Sequence, residues 1–385
     1  MTMWIRYFVS VLIFTLVFSC QSTPEKKNLV DLPEQVESEK VNLSSLMKDY
    51  TVIPLETTEN DLLGDVMKVI QKDNRFYILS GDYSNQKLSI YDSEGHLLKK
   101  IARQGQGGEQ EYLMIKDFDV YGDKLLIMDY RRLLFCDLDG RYLYSKPLDF
   151  VNMSLKMVSD GEILFYVGEK DNTIYVTDSD ANIKEKYLPF TPALSLLRYN
   201  SFLLVENAIL FQKGMSIEYW KYDPSRKERK DVFFIQEENG LSLAKEDELM
   251  KQYGIDRLKH MEGLCNVHNL AGCSDQFSVI WQKNDQEQLV YGSLKTGDVK
   301  RYKYSNIIDD VTFNQSFFTR RATNCQGEKA FVSYAWPPVI AKGLDKFAQK
   351  YPDRLTDSRY VQMKELVAAA GEDANPFLIV YKFKL

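Results

Sequence analysis

The chain has 385 residues, of which 44% are hydrophobic and 13% are aromatic, so it can bury a large core within one domain. It carries 49 Lys and Arg residues against 55 Asp and Glu residues, which gives a net charge of −6 with both signs intermixed. A nucleic-acid-binding protein needs a concentrated basic surface, so this composition argues against a nucleic-acid partner.

The N-terminal residues have the pattern of an export signal. Arg6 precedes an apolar run at residues 7–18 that is too short to remain as a membrane-spanning helix. The run ends in Val-Phe-Ser-Cys at residues 17–20, which resembles the lipobox of bacterial lipoproteins; an ordinary signal peptide with an incidental cysteine is the alternative. We predict a lipoprotein signal peptide at residues 1–19, lipidation of Cys20, and a cell-envelope protein anchored in the outer membrane, with the leaflet unassigned.

The segment after the cysteine differs in composition from the rest of the chain. Residues 20–40 are polar, include Pro24 and Pro33, and show little periodicity. This composition predicts a flexible tether. The remaining residues, 41–385, are assigned to one folded domain.

Short polar turns recur between apolar segments. Four of them begin at Asp92, Asp137, Asp178 and Asp223, which lie about 41 to 45 residues apart. Asp favours turns because its side chain bonds to nearby backbone N–H groups. The spacing is typical of four-stranded propeller blades and predicts an all-β repeat protein.

Alternation of apolar residues between the turns predicts a six-bladed β-propeller. The first five blades are predicted at residues 66–101, 115–148, 153–190, up to 235, and 264–304. The sixth combines residues 317–323, 329–334 and 377–383 with an N-terminal strand at residues 50–56. This N-terminal strand would close the ring and remove the open sheet edges.

Three connections depart from the short-turn pattern. Residues 242–253 predict a helix, residues 341–370 predict two helices separated by Pro352, and residues 103–113 form a glycine-rich loop. In the predicted topology all three emerge on one face. This favours a binding face there, although ordinary variation in loop length is the alternative.

The glycine-rich loop carries a resemblance to a known family. Residues 103–112 read Arg-Gln-Gly-Gln-Gly-Gly-Glu-Gln-Glu-Tyr, and this loop resembles that of the six-bladed β-propeller lipoproteins of Bacteroidota, which are related to NHL-repeat propellers. The family loop typically reads Gly-x-Gly-Pro-Gly-Glu-Tyr; here the Pro is missing and the loop is one residue longer, while Glu111 and Tyr112 match. The likeness extends over residues 50–385 and includes entry and exit motifs at residues 53–57 with Gly64 and at residues 375–378. The resemblance implies the fold and no activity.

Aromatic and arginine side chains on the predicted binding face are candidates for ligand contact, because arginine binds carboxylates and hydroxyls and aromatic rings stack on sugars. The ligand-binding candidates are Arg103, Glu111, Tyr112, Tyr130, Arg131, Arg132, His268 and Trp336. Chance aromatics are common in a chain this rich in Tyr and Phe, so a structural role is the alternative for each. His268 is the one histidine selected, and no triad partner is evident for it.

Other site chemistries fit the sequence less well. The glycine-rich loop is followed by a strand and lacks the Lys-Ser or Lys-Thr of a phosphate-binding loop. The turn aspartates lie on separate blades, which favours turn formation over a calcium site. Cys265 and Cys273 are close enough in sequence to form a disulfide, which an exported protein permits.

The leading hypothesis is a non-enzymatic propeller, anchored to the membrane by lipid, that binds a glycan, a peptide or an envelope protein. The alternative is a propeller lyase or hydrolase with a divalent metal at the mouth of the central channel. No catalytic residue and no cofactor is predicted. A divalent cation in the central channel is expected only if the enzyme alternative holds. An enzyme should bring unpaired carboxylates or a histidine into the channel, whereas a binding protein should present an open surface of aromatic and arginine side chains.

Overall fold

The computed structural model describes residues 28–59, 61–82, 84–106, 108–167, 171–195, 201–206, 208–235, 237–283, 286–314 and 325–385. The predicted signal peptide and Cys20 lie outside these residues. The first elements of the domain are a short strand, a helical turn and a long strand. They are Val41–Asn42 (β1), Leu43–Leu46 (α1) and Met47–Pro54 (β2).

The next eight strands form two antiparallel sheets in which each strand pairs with the one that follows it. Sheet 1 contains Val66–Lys72 (β3), Arg75–Ser80 (β4), Lys87–Asp92 (β5) and Leu97–Ile101 (β6). Sheet 2 contains Asp117–Tyr121 (β7), Lys124–Met128 (β8), Arg132–Asp137 (β9) and Tyr142–Pro147 (β10). These strands confirm the elements predicted for the first two repeats.

Three further four-stranded antiparallel sheets follow with the same order. Sheet 3 contains Asn152–Ser159 (β11), Glu162–Val167 (β12), Asn172–Thr177 (β13) and Ile183–Pro189 (β14). Sheet 4 contains Phe202–Val205 (β15), Ala208–Gln212 (β16), Glu218–Asp223 (β17) and Glu228–Phe233 (β18). Sheet 5 contains Asn266–Gly272 (β19), Phe277–Lys283 (β20), Gln286–Gly292 (β21) and Val299–Lys303 (β22). A two-residue strand, Ile307–Ile308 (β23), then pairs in parallel with β1.

The position of each strand in its sheet follows from its apolar content. The second and third strands, such as β12 and β13, are buried along almost their whole length, while the fourth strand β14 is mostly exposed. The inner strands therefore carry continuous apolar runs because both faces are covered by neighbouring sheets. The fourth strand lies at the outer rim and needs fewer apolar residues.

The predicted aspartate turns are present and hold their hairpins as expected. Asp92 Oδ1 accepts hydrogen bonds from the N–H groups of Glu94 and His96, both at 2.9 Å. Asp137 and Asp178 accept the equivalent pairs in sheets 2 and 3. These carboxylates are therefore turn residues, in agreement with the preference for turn formation over calcium binding.

The last sheet joins both ends of the domain. Sheet 6 has the order β2, Phe377–Phe383 (β26), Phe331–Ala335 (β25), so the N-terminal strand pairs with the C-terminal strand as predicted. The first strand predicted for this sheet, residues 317–323, lies outside the described residues. A short strand after it, Cys325–Gly327 (β24), pairs in parallel with β3 of sheet 1 instead of with β25.

The helices occupy the predicted connections. Leu243–Tyr253 (α2) begins after Ser242, whose hydroxyl accepts from Lys245 N–H at 3.2 Å, and lies between sheets 4 and 5 in the chain. Pro337–Lys350 (α3) and Ser358–Ala370 (α4) lie between β25 and β26. Because adjacent strands are antiparallel, these connections leave the sheets at the same end as the glycine-rich loop between β6 and β7.

The segment predicted to be a tether is in contact with the domain from Asn28 onward. Leu29 N–H donates to Phe233 O at 2.8 Å, and Glu37 N–H donates to Arg301 O at 3.0 Å. Val30 is buried in the core between sheets 4 and 5. The tether prediction is therefore wrong for this part of the segment, because its few apolar residues find a surface on the outer strands.

The cysteines of the folded domain lie in its core. Cys136, Cys265, Cys273 and Cys325 are all buried, and none of these four described cysteines is in a disulfide. Cys265 packs between sheets 4 and 5, whereas Cys273 packs between sheets 5 and 6, so the disulfide that their spacing permits does not form. Burial raises the pKa of Cys273 to about 11.

Hydrophobic side chains pack between consecutive sheets from sheet 1 to sheet 6. The first strands of successive sheets contact one another around a central axis: β3 with β7, β7 with β11, β11 with β15, and β15 with β19. This is a β-propeller-like arrangement. It places one end of every first strand at the face that carries the glycine-rich loop.

Candidate functional site

The glycine-rich loop is built around a buried tyrosine. Tyr112 is fully buried, and its hydroxyl donates to Gln86 O at 2.7 Å while accepting from Arg103 N–H at 3.2 Å. The backbones of Arg103 and Tyr112 are also bonded, with Tyr112 N–H donating to Arg103 O at 3.1 Å. Burial raises the pKa of Tyr112 to about 12. Because its ring and hydroxyl are enclosed by the loop, Tyr112 has a structural role here.

Glu111 holds the loop from the inside. Its Oε2 accepts hydrogen bonds from Gln106 N–H at 3.0 Å and from Gly108 N–H at 3.1 Å. A side chain at position 105 would place its Cβ 2.4 Å from the same oxygen, so glycine there lets the Glu111 carboxylate take this position. Glu111 therefore fixes the backbone shape of the loop.

A second carboxylate, which the sequence analysis did not select, connects the loop to the neighbouring hairpin. Asp129 is almost completely buried and accepts from the N–H groups of Leu113, Met114 and Tyr130 at 3.2, 3.1 and 2.7 Å. Its Oδ2 also accepts from Arg132 Nε at 3.3 Å. Its position directly after an apolar strand and before a turn was the one signal in the sequence for this role.

Arg132 completes this connection. Its Nη2 donates to Gly108 O at 3.0 Å and also to the carbonyl of Glu111. Arg132 therefore ties the hairpin of sheet 2 to both ends of the loop turn, and its guanidinium is used within the protein. The candidate residues Arg103, Glu111, Tyr112 and Arg132 therefore lie together as the hydrogen-bonded framework of the loop.

Three side chains on this framework face solvent. Tyr130 is 49% exposed, and Lys116 Nζ lies 5.0 Å from the centre of its ring. Arg131 is exposed and makes no side-chain hydrogen bond or ion pair with the described part of the chain. Leu113, also 49% exposed, lies beside them in the loop. Tyr130, Arg131 and the partly exposed Lys116 form a small surface of one aromatic ring and two cations, which we call the Tyr130 surface.

The other two candidates lie on different sheets. His268 is in β19; its Nδ1 lies 3.1 Å from Asn266 Oδ1, and burial lowers its pKa. Trp336 precedes α3, where its carbonyl accepts from the N–H groups at the start of the helix, and its half-buried ring packs between sheets 6 and 1. Their described contacts are with other elements, so the structure does not join them to the Tyr130 surface.

The first strands of sheets 1 to 3 carry buried charges that the sequence pattern did not reveal. Asp117 accepts from Lys68 Nζ at 2.7 Å, and Asp119 accepts from Lys156 Nζ at 2.8 Å. Asp117 also accepts from the Ser154 hydroxyl at 2.6 Å. The Asp-Phe-Asp alternation of β7 places both carboxylates on one face, but their lysine partners come from sheets 1 and 3 and are remote in sequence.

Within the residues that the structure covers, no group of three or more His, Cys, Asp and Glu side chains is arranged to hold a metal ion. In the same residues no helix has the length and apolar character needed to cross a membrane.

The fold and the Tyr130 surface together define a β-propeller-like protein with an exposed surface of aromatic and cationic side chains. The chain matches the family model described as "Domain of unknown function (DUF4934)" over residues 27–382 and belongs to that family. This family is not an NHL-repeat family, so the expected relation to NHL-repeat propellers is wrong. No curated protein matches the chain.

One of three solved structures compared with the chain shares its fold. A Bacteroides fragilis protein described as exported is similar with a TM-score of 0.68 at 18% identity, covering 90% of this chain and 99% of that chain. BamB from Moraxella catarrhalis gives a TM-score of 0.37 at 14% identity, with 65% of each chain covered. A protein of unknown function from Bacteroides caccae gives 0.39 at 10% identity, covering 62% of this chain and 81% of that chain. The first similarity supports the fold, and the other two are too weak to support more.

Proposed function

We propose that the protein is an exported, lipid-anchored β-propeller of six closed blades that binds a partner and is not an enzyme. Closure is supported by the contacts at the ends of the domain. β24 contacts both β19 and β3, and β2 pairs with β26. Apolar side chains of sheets 6 and 1, including Leu378 and Phe76, pack together in the same way as those of the other neighbouring sheets.

The main support for a binding function is the Tyr130 surface. Tyr130, Lys116 and Arg131 present a ring and two cations that form no ion pair with any described carboxylate, on a loop held by Asp129 and Arg132. A rigid loop loses little entropy on binding. Two unpaired cations select a partner with carboxylates, so the glycan, peptide or envelope protein bound here is an acidic one.

The channel geometry does not favour the enzyme alternative. Asp117 and Asp119 are the carboxylates nearest to the glycine-rich loop along β7, and each is paired with a lysine within 3 Å. Their oxygens also accept backbone N–H bonds from Leu155 and Met157. Carboxylates held in this way stabilise the contact between neighbouring sheets and are not positioned as acid and base.

The binding proposal is tested with matched acidic and neutral polymers. Oligogalacturonate and oligoglutamate are titrated calorimetrically into the chain from residue 21 onward, with cello-oligosaccharide and oligoglutamine as neutral counterparts. We expect an acidic polymer to bind and its affinity to fall at least about tenfold, or about 1.4 kcal/mol, in the Tyr130→Ala/Arg131→Ala double variant. Tyr144→Ala is the control, because Tyr144 is also exposed beside a lysine but lies on β10. Equal loss in the control, or no binding of either acidic polymer, would refute the proposal.

The lipid anchor is tested separately. The full chain should partition with the outer membrane and incorporate radiolabelled palmitate, and Cys20→Ser should abolish the label. Labelling that persists in Cys20→Ser would show that the lipobox assignment is wrong.

A further inference from the structure

A cavity of about 490 Å³ lies at the ends of the first strands that are remote from the glycine-rich loop. It is formed where β3, β7, β11 and β24 reach the turns that follow them. Its apolar wall includes Ile70, Val120, Met157, Leu204 and Ile209. The volume is within the range of small-molecule sites, about 300 to 1,000 Å³.

One buried polar side chain in the wall has no side-chain partner among the described residues. Gln326 in β24 is 6% exposed, and its amide makes no hydrogen bond with any residue that the structure describes. The amide of Gln71, which also lines the cavity, donates to Asp73 O at 2.7 Å and accepts from Glu328 N–H at 3.1 Å. A buried amide is normally satisfied, so Gln326 is available to a ligand that supplies a donor and an acceptor.

The charges around the cavity are balanced. Lys72 pairs with Glu328 at 2.8 Å, and Lys156 pairs with Asp119 at 2.8 Å. Asp160, the remaining carboxylate in the wall, has Lys124 at 3.6 Å. A charged ligand would gain no unpaired counter-ion here, so the cavity favours an uncharged one.

We propose that this cavity binds an uncharged sugar unit that carries an amide group. A pyranose ring has an apolar C–H face, which fits the wall around Met157, and an edge of hydroxyls, which fits the Lys72–Glu328 pair. The amide of an N-acyl substituent supplies the donor and acceptor that Gln326 lacks. This site is separate from the Tyr130 surface and takes a single sugar unit, whereas the Tyr130 surface takes an acidic partner.

The probe is N-acetylglucosamine, compared with glucosamine, which has an ammonium group at the same carbon, and with glucose. Binding to the chain from residue 21 onward is measured by saturation-transfer NMR and calorimetry. We expect saturable binding of N-acetylglucosamine and at least about tenfold weaker binding of the other two. Gln326→Leu and the isosteric Gln326→Glu should each reduce the affinity at least about tenfold. Both should remain folded by circular dichroism, because the Gln326 amide makes no bond that folding would lose.

The Tyr130→Ala/Arg131→Ala double variant is the matched control and should bind N-acetylglucosamine like the wild type. It also separates the two proposals, since it should lose only the acidic polymer. The absence of saturable N-acetylglucosamine binding in the wild type would overturn the inference. Equal binding of glucosamine, or unchanged binding in folded Gln326→Leu, would also overturn it.

Discussion

Asp129→Ala is expected to destabilise the protein by about 3 kcal/mol. The carboxylate accepts from three backbone N–H groups, of Leu113, Met114 and Tyr130, and from the Arg132 side chain. Each amide left without its charged acceptor costs about 1 kcal/mol at a site that water can partly reach, and the unpaired arginine adds a smaller amount.

The assay is urea unfolding followed by the fluorescence of Trp220 and Trp281, which are both buried. Asp92→Ala is the control, because Asp92 accepts two backbone N–H groups in a more exposed hairpin and should cost about 1 kcal/mol or less. Asp129→Asn keeps one acceptor oxygen and should fall between the two. If Asp129→Ala costs no more than Asp92→Ala, Asp129 does not hold the glycine-rich loop as we infer.

Three further results are expected. Lys68→Met should lower the free energy of unfolding by about 3–5 kcal/mol in the same urea assay, because it leaves Asp117 charged and buried; a loss below about 1 kcal/mol would contradict a buried ion pair. Gly95→Ala should cost about 1–3 kcal/mol, because Gly95 has a φ of 92° and a Cβ there would lie 2.3 Å from Pro54 O on the N-terminal strand; unchanged stability would argue against that strand's position. Burial lowers the pKa of His268, so the unfolded chain binds a proton at this residue more readily than the folded protein does. The free energy of unfolding should therefore fall as the pH drops below about 6.5. This fall should be smaller in His268→Asn, and an equal fall in both proteins would exclude His268 as a cause.

The local elements were predictable because their causes are local. Asp92, Asp137 and Asp178 form turns through bonds to residues two and four positions away, so composition and spacing are enough to identify them. The helix at Leu243–Tyr253 begins at a serine cap and ends before a glycine, which are also local signals. The order of the strands follows from these turns.

The roles of the candidate residues were less predictable. Tyr112, Glu111 and Arg132 were selected for their chemistry, and the structure uses them to hold the glycine-rich loop. Whether a polar side chain faces a ligand or the protein depends on which backbone groups lie near it. For these residues the neighbouring backbone groups are set by the packing of the sheet 2 hairpin against the loop. A short sequence pattern does not predict that packing.

The sequence by itself determined the repeat, the turns, the helices and the pairing of the two ends of the domain, because apolar alternation and turn residues act over a few positions. Only the tertiary structure decided the position of the N-terminal segment on the outer strands, the pairing of Asp117 with Lys68 and of Asp119 with Lys156, and the unpartnered amide of Gln326. The physical reason is that each of these depends on which sheets become neighbours. Burial and charge pairing are properties of residues that are distant in the chain and close in space.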